Sequence, residues 1–203
     1  AEEIRSLNSS ILETLATAIE FRDQESGEHV LRIWELTMLL LRGMMERDPR
    51  RYHFEEEELC LIGDAAVMHD LGKIAIPDHI LNKPGKLTAE EFEIMKLHTV
   101  RGCEILENVE ILKNSDSFVY YHDICRWHHE RYDGSGYPEN LRGEEIPLGS
   151  RILRVCDTYA ALTEKRPYRD AFDSQTAVRM MIDEVKNFDM QIFLAFQRVV
   201  HES

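Results

Sequence analysis

Apolar residues recur at three- and four-residue intervals along most of the chain, and no convincing run alternates with period two, so the pattern predicts helices and no substantial sheet. Ile11, Leu15, Ala18 and Ile19 stripe a first helix. Val30, Ile33, Thr37, Leu40 and Met44 stripe a second, which ends near Asp48-Pro49 because the residue before proline disfavours helical backbone. Leu59, Ile62, Ala66 and Val67 mark a third that runs into His69-Asp70. After a Lys83-Pro84-Gly85-Lys86 turn, Thr88 with Glu91 forms a capping box, and Phe92, Met95, Thr99 and Leu106 continue at helical spacing. A further helix spans roughly 116–129, and another resumes near Ser150 with Ile152, Val155, Cys156, Tyr159 and Leu162. Between them, Asp133 to Gly149 is a loop rich in Gly and Pro. Ser174 and Asp189 are the expected N-caps of two last helices.

The expected fold is therefore all-α, a helical bundle with one long irregular loop. At 203 residues and 43% hydrophobic, the chain can bury a large core, which argues against disorder. It contains no apolar run long enough to cross a bilayer and no signal peptide, and it starts without Met in what reads as mid-helix, as a piece of a longer protein does. A net charge of −14 argues against a nucleic-acid binder, which needs a basic face. Bound metal ions can nevertheless invert the field locally. Cys60, Cys103, Cys125 and Cys156 form no CxxC pair and read as buried thiols of a reducing, cytoplasmic compartment.

The placement of the nine histidines then changes the picture. His29, His69, His98, His128 and His129 each fall in or at the end of a predicted helix, with Asp70 beside one and Asp157 on a later helix. The clusters are spaced about one helix-turn-helix apart, so their side chains can converge inside a bundle, as bundle metal sites do. A single histidine at a helix end is ordinarily a cap or a satisfied core residue, but five phased helix by helix with two acids are hard to read so. Imidazole with carboxylate suits Mn, Fe, Ni or Zn better than Ca or Mg. Neighbouring helical residues point about 100° apart, so His69-Asp70 and His128-His129 are expected to straddle adjacent metals, with Asp70 as the bridge.

HDLGK (His69 to Lys73) resembles the HDxGK signature of HD-domain phosphohydrolases, and HHERYDGSGYP (His128 to Pro138) resembles the HHExxDGxGYP signature of their HD-GYP subgroup. FRDQESGEHVLRI (Phe21 to Ile33), the segments 76–91 and 143–148, and EKRPYRDAF (Glu164 to Phe172) extend the likeness over most of the chain. The resemblance implies hydrolysis of cyclic di-GMP to pGpG, and on to GMP, by attack of a hydroxide bridging two metals, Fe or Mn before Ni or Zn. It implies that His29, His69, Asp70 and Asp157 hold one metal and that Asp70, His98, His128 and His129 hold the second. Glu25 is the candidate ligand of a third. Lys73 is expected at the scissile phosphate, with Asp70 beside it in catalysis. Arg166, Arg169 and Tyr137 are the expected substrate contacts, the arginines through their planar fork.

The same resemblance offers the loop around Tyr137 and Pro138 as a docking surface for a GGDEF-type cyclase. It divides the chain into a linker helix, 1–20, for signalling or dimerisation with a second copy, joined upstream to a sensor or receiver domain, and the catalytic domain, 21–203. Two departures stand out. Ala160 replaces the second aspartate of the family's Asp-x-x-Asp-Ala-Leu, which questions a supporting hydrogen bond, and Met190 stands where a proline is usual. His122 matches nothing in the pattern and reads as a core or surface residue. A weakly active sensor of cyclic di-GMP, an HD hydrolase of other nucleotides including (p)ppGpp, and a metal-free helical module are the competing readings. No DNA partner and no membrane segment are expected.

Overall fold

The helices form where the apolar spacing places them, and they close around two that are buried along most of one face. The structure, a computed structural model, describes residues 11, 14–23, 28–165 and 169–202. Helix α1 covers 14–22, followed by α2 (Glu28–Arg47), α3 (Glu56–Val67) and a 3-10 turn, Leu71–Ala75. Next come α4 (Asp78–Leu81), α5 (Ala89–Lys96), α6 (His98–Glu107), α7 (Glu110–Lys113) and α8 (Phe118–Trp127). After the long loop come α9 (Leu148–Thr163), α10 (Ser174–Asp183) and α11 (Met190–Glu202). No β-strand occurs among the described residues, so the all-α expectation holds.

Helix α2 packs on α3, α9 and α11, while α8 packs on α3, α6 and α9. Ile33, Leu40, Leu41, Ile152, Leu153, Val155 and Phe196 are fully buried at this junction. Each such side chain contributes about 1.5–3 kcal/mol by leaving water. The bundle thereby becomes a rigid frame for the ends of α3, α6, α8 and α9, where the polar residues gather.

Several local expectations are met and several corrected. The capping box at Thr88 and Glu91 is present, and Asp189 caps α11 by accepting from Gln191 N at 2.9 Å. The cap of α10 is Asp173 rather than Ser174, since its carboxylate accepts from Thr176 N at 3.0 Å. The single helix expected from Phe92 to Leu106 is two, α5 and α6, broken at Leu97. There the side chains of His98 and Thr99 bond the carbonyls of Met95 and Lys96, at 2.7 and 3.0 Å, and compete with the helical ladder. Cys60 is exposed on α3, whereas the other three cysteines are buried. Ala160 is fully buried inside the apolar core, so a small side chain suits the space it fills. Of the expected linker, 1–20, residues 11 and 14–20 are described, and 14–20 are helical.

Candidate metal centre

His69 and Asp70 follow directly on α3, where its last turn opens into the 3-10 turn Leu71–Ala75. That turn crosses α6 closely enough that a Cβ on Gly72 would lie 1.7 Å from the His98 carbonyl oxygen, so only glycine fits there. The crossing brings Asp70 against His98. His128 and His129 sit just past the C-terminus of α8, His29 opens α2, and Asp157 lies in the middle of α9.

These seven side chains converge as two adjoining groups. Asp70, His98, His128 and His129 form one and His29, His69 and Asp157 the other, with the ligand-type atoms of each group all within 4.8 Å of one another. Asp70 stands between them. Its Oδ2 lies 3.2 Å from His69 Nε2, and its Oδ1 lies 3.3 Å from His98 Nε2 and 3.7 Å from His128 Nε2. The expected straddling holds for His69 and Asp70, which fall in different groups. It fails for His128 and His129, which share one: both lie in a turn, where the angular spacing of a helix no longer applies.

The second ring nitrogens reveal what the first are for. His69 Nδ1 donates to Ala66 O at 2.7 Å, His98 Nδ1 to Met95 O at 2.7 Å, and His128 Nδ1 to Ile124 O and Cys125 O at 3.0 Å. His29 Nδ1 donates to the Glu164 carboxylate at 2.8 Å. A carbonyl or carboxylate oxygen only accepts, so each Nδ1 carries a proton and Nε2 is the nitrogen left to ligate an ion, the arrangement metal-binding histidines require. Asp70 Oδ1 is buried and accepts no hydrogen bond, an expensive arrangement unless a cation completes it. The donor set therefore fits divalent metal ions.

The charges agree. Burial opposes a proton on these rings and, with His69 and His98 nearby, pushes the His128 pKa down to about 3. Burial likewise lowers His98 and His129. His69 goes the other way: burial is outweighed by Asp70 and Asp157, and its pKa rises to about 9. Asp70 resists its own burial because Lys73 and His69 hold it well below the usual carboxylate range, and Asp157 is lowered by His69 and His29.

A cavity of about 340 Å³ opens onto both groups, with Asp23, Lys73, Met95, Tyr137 and Ala161 completing its wall. Lys73 Nζ reaches Asp70 Oδ2 at 2.9 Å and also pairs with Asp23. Arg22 clamps the turn that carries Lys73, donating to the carbonyls of Lys73, Ile74 and Ile76 at 2.6–2.9 Å. Tyr137 stacks on His129, ring centroids 4.8 Å apart. Its loop is tied down by the buried Glu130, whose Oε1 accepts from Glu139 N at 2.7 Å.

The expected arginine clamps fare differently. Arg169 donates to the Ala161 and Leu162 carbonyls at the end of α9 and lies over Phe172, so its guanidinium secures that helix end. Arg166 and Glu25 lie outside the described residues. His122 pairs with Asp123 at 3.3 Å and belongs to neither group. Sequence reading missed Arg22, Asp23, Glu130 and Glu164. All four lie inside the matched motifs, yet nothing local marks their distant partners.

The HD-domain family model matches residues 15–192. A 3′3′-cGAMP-specific phosphodiesterase of Vibrio cholerae is 36% identical over 196 residues, covering 94% of this chain and 34% of that protein. A cyclic di-GMP phosphodiesterase of Pseudomonas aeruginosa is 43% identical over 178 residues, covering 88% of this chain and 40% of that protein. The chain thus spans about a third to a half of the length of the curated relatives it matches. The crystal structure of a cyclic GMP-AMP-specific phosphodiesterase from V. cholerae superposes with a TM-score of 0.66 over 95% of this chain and 48% of that one. At 18% identity this likeness shows the shared fold. With the HD and GYP motifs placed around one cavity, the chain belongs to the HD-domain family, in its HD-GYP group.

Proposed function

We propose that this domain is a metal-dependent cyclic-dinucleotide phosphodiesterase with cyclic di-GMP as its substrate. The observation that carries the reading is Asp70, a buried carboxylate with one oxygen beside His69 and the other, unpartnered, beside His98 and His128. In this reading His29, His69, Asp70 and Asp157 hold one divalent ion and Asp70, His98, His128 and His129 a second, Fe or Mn, with Glu25 the candidate ligand of a third. When bound, such ions activate water and neutralise phosphate charge. Two divalent cations against Asp70 and Asp157 leave the cavity positive despite the acidic chain.

The chain's own residues do the rest. The fixed Nδ1–H bonds hold each ring's Nε2 toward the centre. Lys73, held by Asp70 and Asp23, places an ammonium at the cavity wall, where it stabilises charge on the phosphoryl oxygens as the bond to the 3′ oxygen breaks. Tyr137 forms another part of that wall and is the proposed shield of the site from water. Arg166 is the proposed clamp for the second phosphate. The products are pGpG and, after a second cleavage, GMP. The names of the relatives support the substrate class.

We further read the domain as the output of a longer protein with an upstream sensor or receiver domain. Pairing of two copies through the N-terminal helix is supported by exposed Leu15 and Phe21, and the GYP loop is the proposed docking face for a GGDEF-type cyclase. The enzymatic reading is tested by incubating Mn-loaded, or anaerobic Fe-loaded, protein with cyclic di-GMP and separating the nucleotides. Linear pGpG is expected, and Asp70→Asn should remove it. Loaded protein that cleaves (p)ppGpp or mononucleotides but leaves cyclic di-GMP intact would overturn the reading.

A further inference from the structure

Helix α5 stands at the rim of the cavity and fully buries none of its side chains. Met95 lines the cavity wall, and its carbonyl receives the His98 Nδ1–H. Phe92 and Lys96 lie on the same side of the helix, as residues three and four apart do. Phe92 is 44% exposed, and its ring centroid lies 6.1 Å from that of Tyr137 in an edge-to-face arrangement. Tyr137 in turn stacks on His129, so two ring contacts connect the metal-centre histidine to the open surface. Lys96 Nζ sits 5.1 Å from the Phe92 centroid and 5.6 Å from that of Tyr137, ion-paired with Glu93 at 2.6 Å.

Resting on the phosphodiesterase reading, we infer that Phe92 and Lys96 form the shelf that receives a purine base of the substrate, with guanine preferred. A phosphate placed among the metal-centre side chains leaves its nucleoside to extend along the wall formed by Met95 and Tyr137. A cyclic dinucleotide carries two bases, and a cavity of about 340 Å³ is at the small end of the range for such a ligand, which favours one base over the rim. Phe92, with Lys96 over its ring, offers an exposed aromatic surface for stacking to any base. Lys96 adds the discrimination. Guanine turns two acceptors, O6 and N7, toward an ammonium, whereas adenine offers N7 beside an amino donor that repels it.

Steady-state kinetics of Mn-loaded protein test the shelf, with cyclic di-GMP, cyclic di-AMP and the base-free diester bis(p-nitrophenyl) phosphate as substrates. Phe92→Ala should raise KM for cyclic di-GMP roughly 5- to 100-fold. Its selectivity for cyclic di-GMP over the base-free diester should fall by a similar factor, and Phe92→Tyr should restore it. Lys96→Met should lower the preference for cyclic di-GMP over cyclic di-AMP roughly ten-fold. These selectivity ratios do not depend on the fraction of protein folded. Ratios unchanged in the variants, beside a wild type that hydrolyses cyclic di-GMP, would overturn the shelf alone. A wild type that cleaves only the base-free diester would overturn the substrate reading and the shelf together.

Discussion

Glu164 and His29 are separated by 135 positions and joined by one 2.8 Å contact. Among the described residues, Glu164 is the carboxylate that accepts from the Nδ1 of a metal-centre imidazole. The anchors of His69, His98 and His128 are carbonyls. A carboxylate behind a ligating imidazole raises its basicity and fixes its orientation. Glu164→Gln should therefore weaken the ion held by His29 by roughly 10- to 100-fold while sparing the Asp70–His98–His128–His129 site. Competition titration against a chromogenic chelator would show one of two affinities falling, and two unaltered affinities would refute the role. His69 contributes to the pH dependence of the metal-free protein. Its folded pKa, about 9, lies above its unfolded value near 6.5, so the stability it contributes is fully present below the unfolded pKa and lost as pH rises through about 9. Between pH 6.5 and 9.5 the metal-free wild type should lose thermal stability more steeply than His69→Gln, as measured by calorimetry. Equal slopes would mean that the carboxylate neighbours do not stabilise the protonated ring. The metal-centre residues themselves were legible because the dipeptides His69-Asp70 and His128-His129 are conspicuous. Glu164, Asp23 and Arg22 were not, because their partners lie 50 or more positions away and no spacing rule links them.

The helices were legible from apolar spacing wherever one face meets the core, and their ends were legible where a local signal existed, as at Thr88 with Glu91. Legibility ended where side chains redirected the backbone, as at Leu97, where His98 and Thr99 reach back to the preceding turn. It also ended where tertiary crowding set the conformation. The 3-10 turn Leu71–Ala75 has no periodic signature, yet its contact with α6 places Asp70 against His98. Gly72 is the hinge of that contact. A methyl group there must push the turn off the His98 carbonyl, so Gly72→Ala is expected to cost about 3 kcal/mol, at the upper end of overpacking, and to lower the melting temperature by roughly 6–12 °C in a domain of this size. Metal affinity should fall with it, since the displaced carbonyl precedes Gly102 on the same crossing. A melting temperature within about 2 °C of wild type would show that the crossing relaxes easily and does not set the position of Asp70.

At the scale of the molecule, a chain of net charge −14 surrounds a cavity proposed for a doubly anionic ligand, a conflict that bound cations resolve. Because the proposed ligands come from α2, the end of α3, α6, the end of α8 and α9, the same cations would tie five parts of the bundle together. Ions present at about 100 times their dissociation constant contribute roughly 2.7 kcal/mol per site. Stripping both with a chelator should then lower the melting temperature by roughly 11–22 °C, and restoring Mn should recover it. No change would mean that the metals do not bind the folded state. The most direct test of the whole account is anomalous diffraction from crystals of the Mn-loaded protein. Two peaks roughly 3.5–4 Å apart, flanking Asp70 and surrounded by His29, His69, His98, His128, His129 and Asp157, are the predicted result. Peaks at other acidic positions, or a single ion that leaves Asp70 uncoordinated, would contradict it.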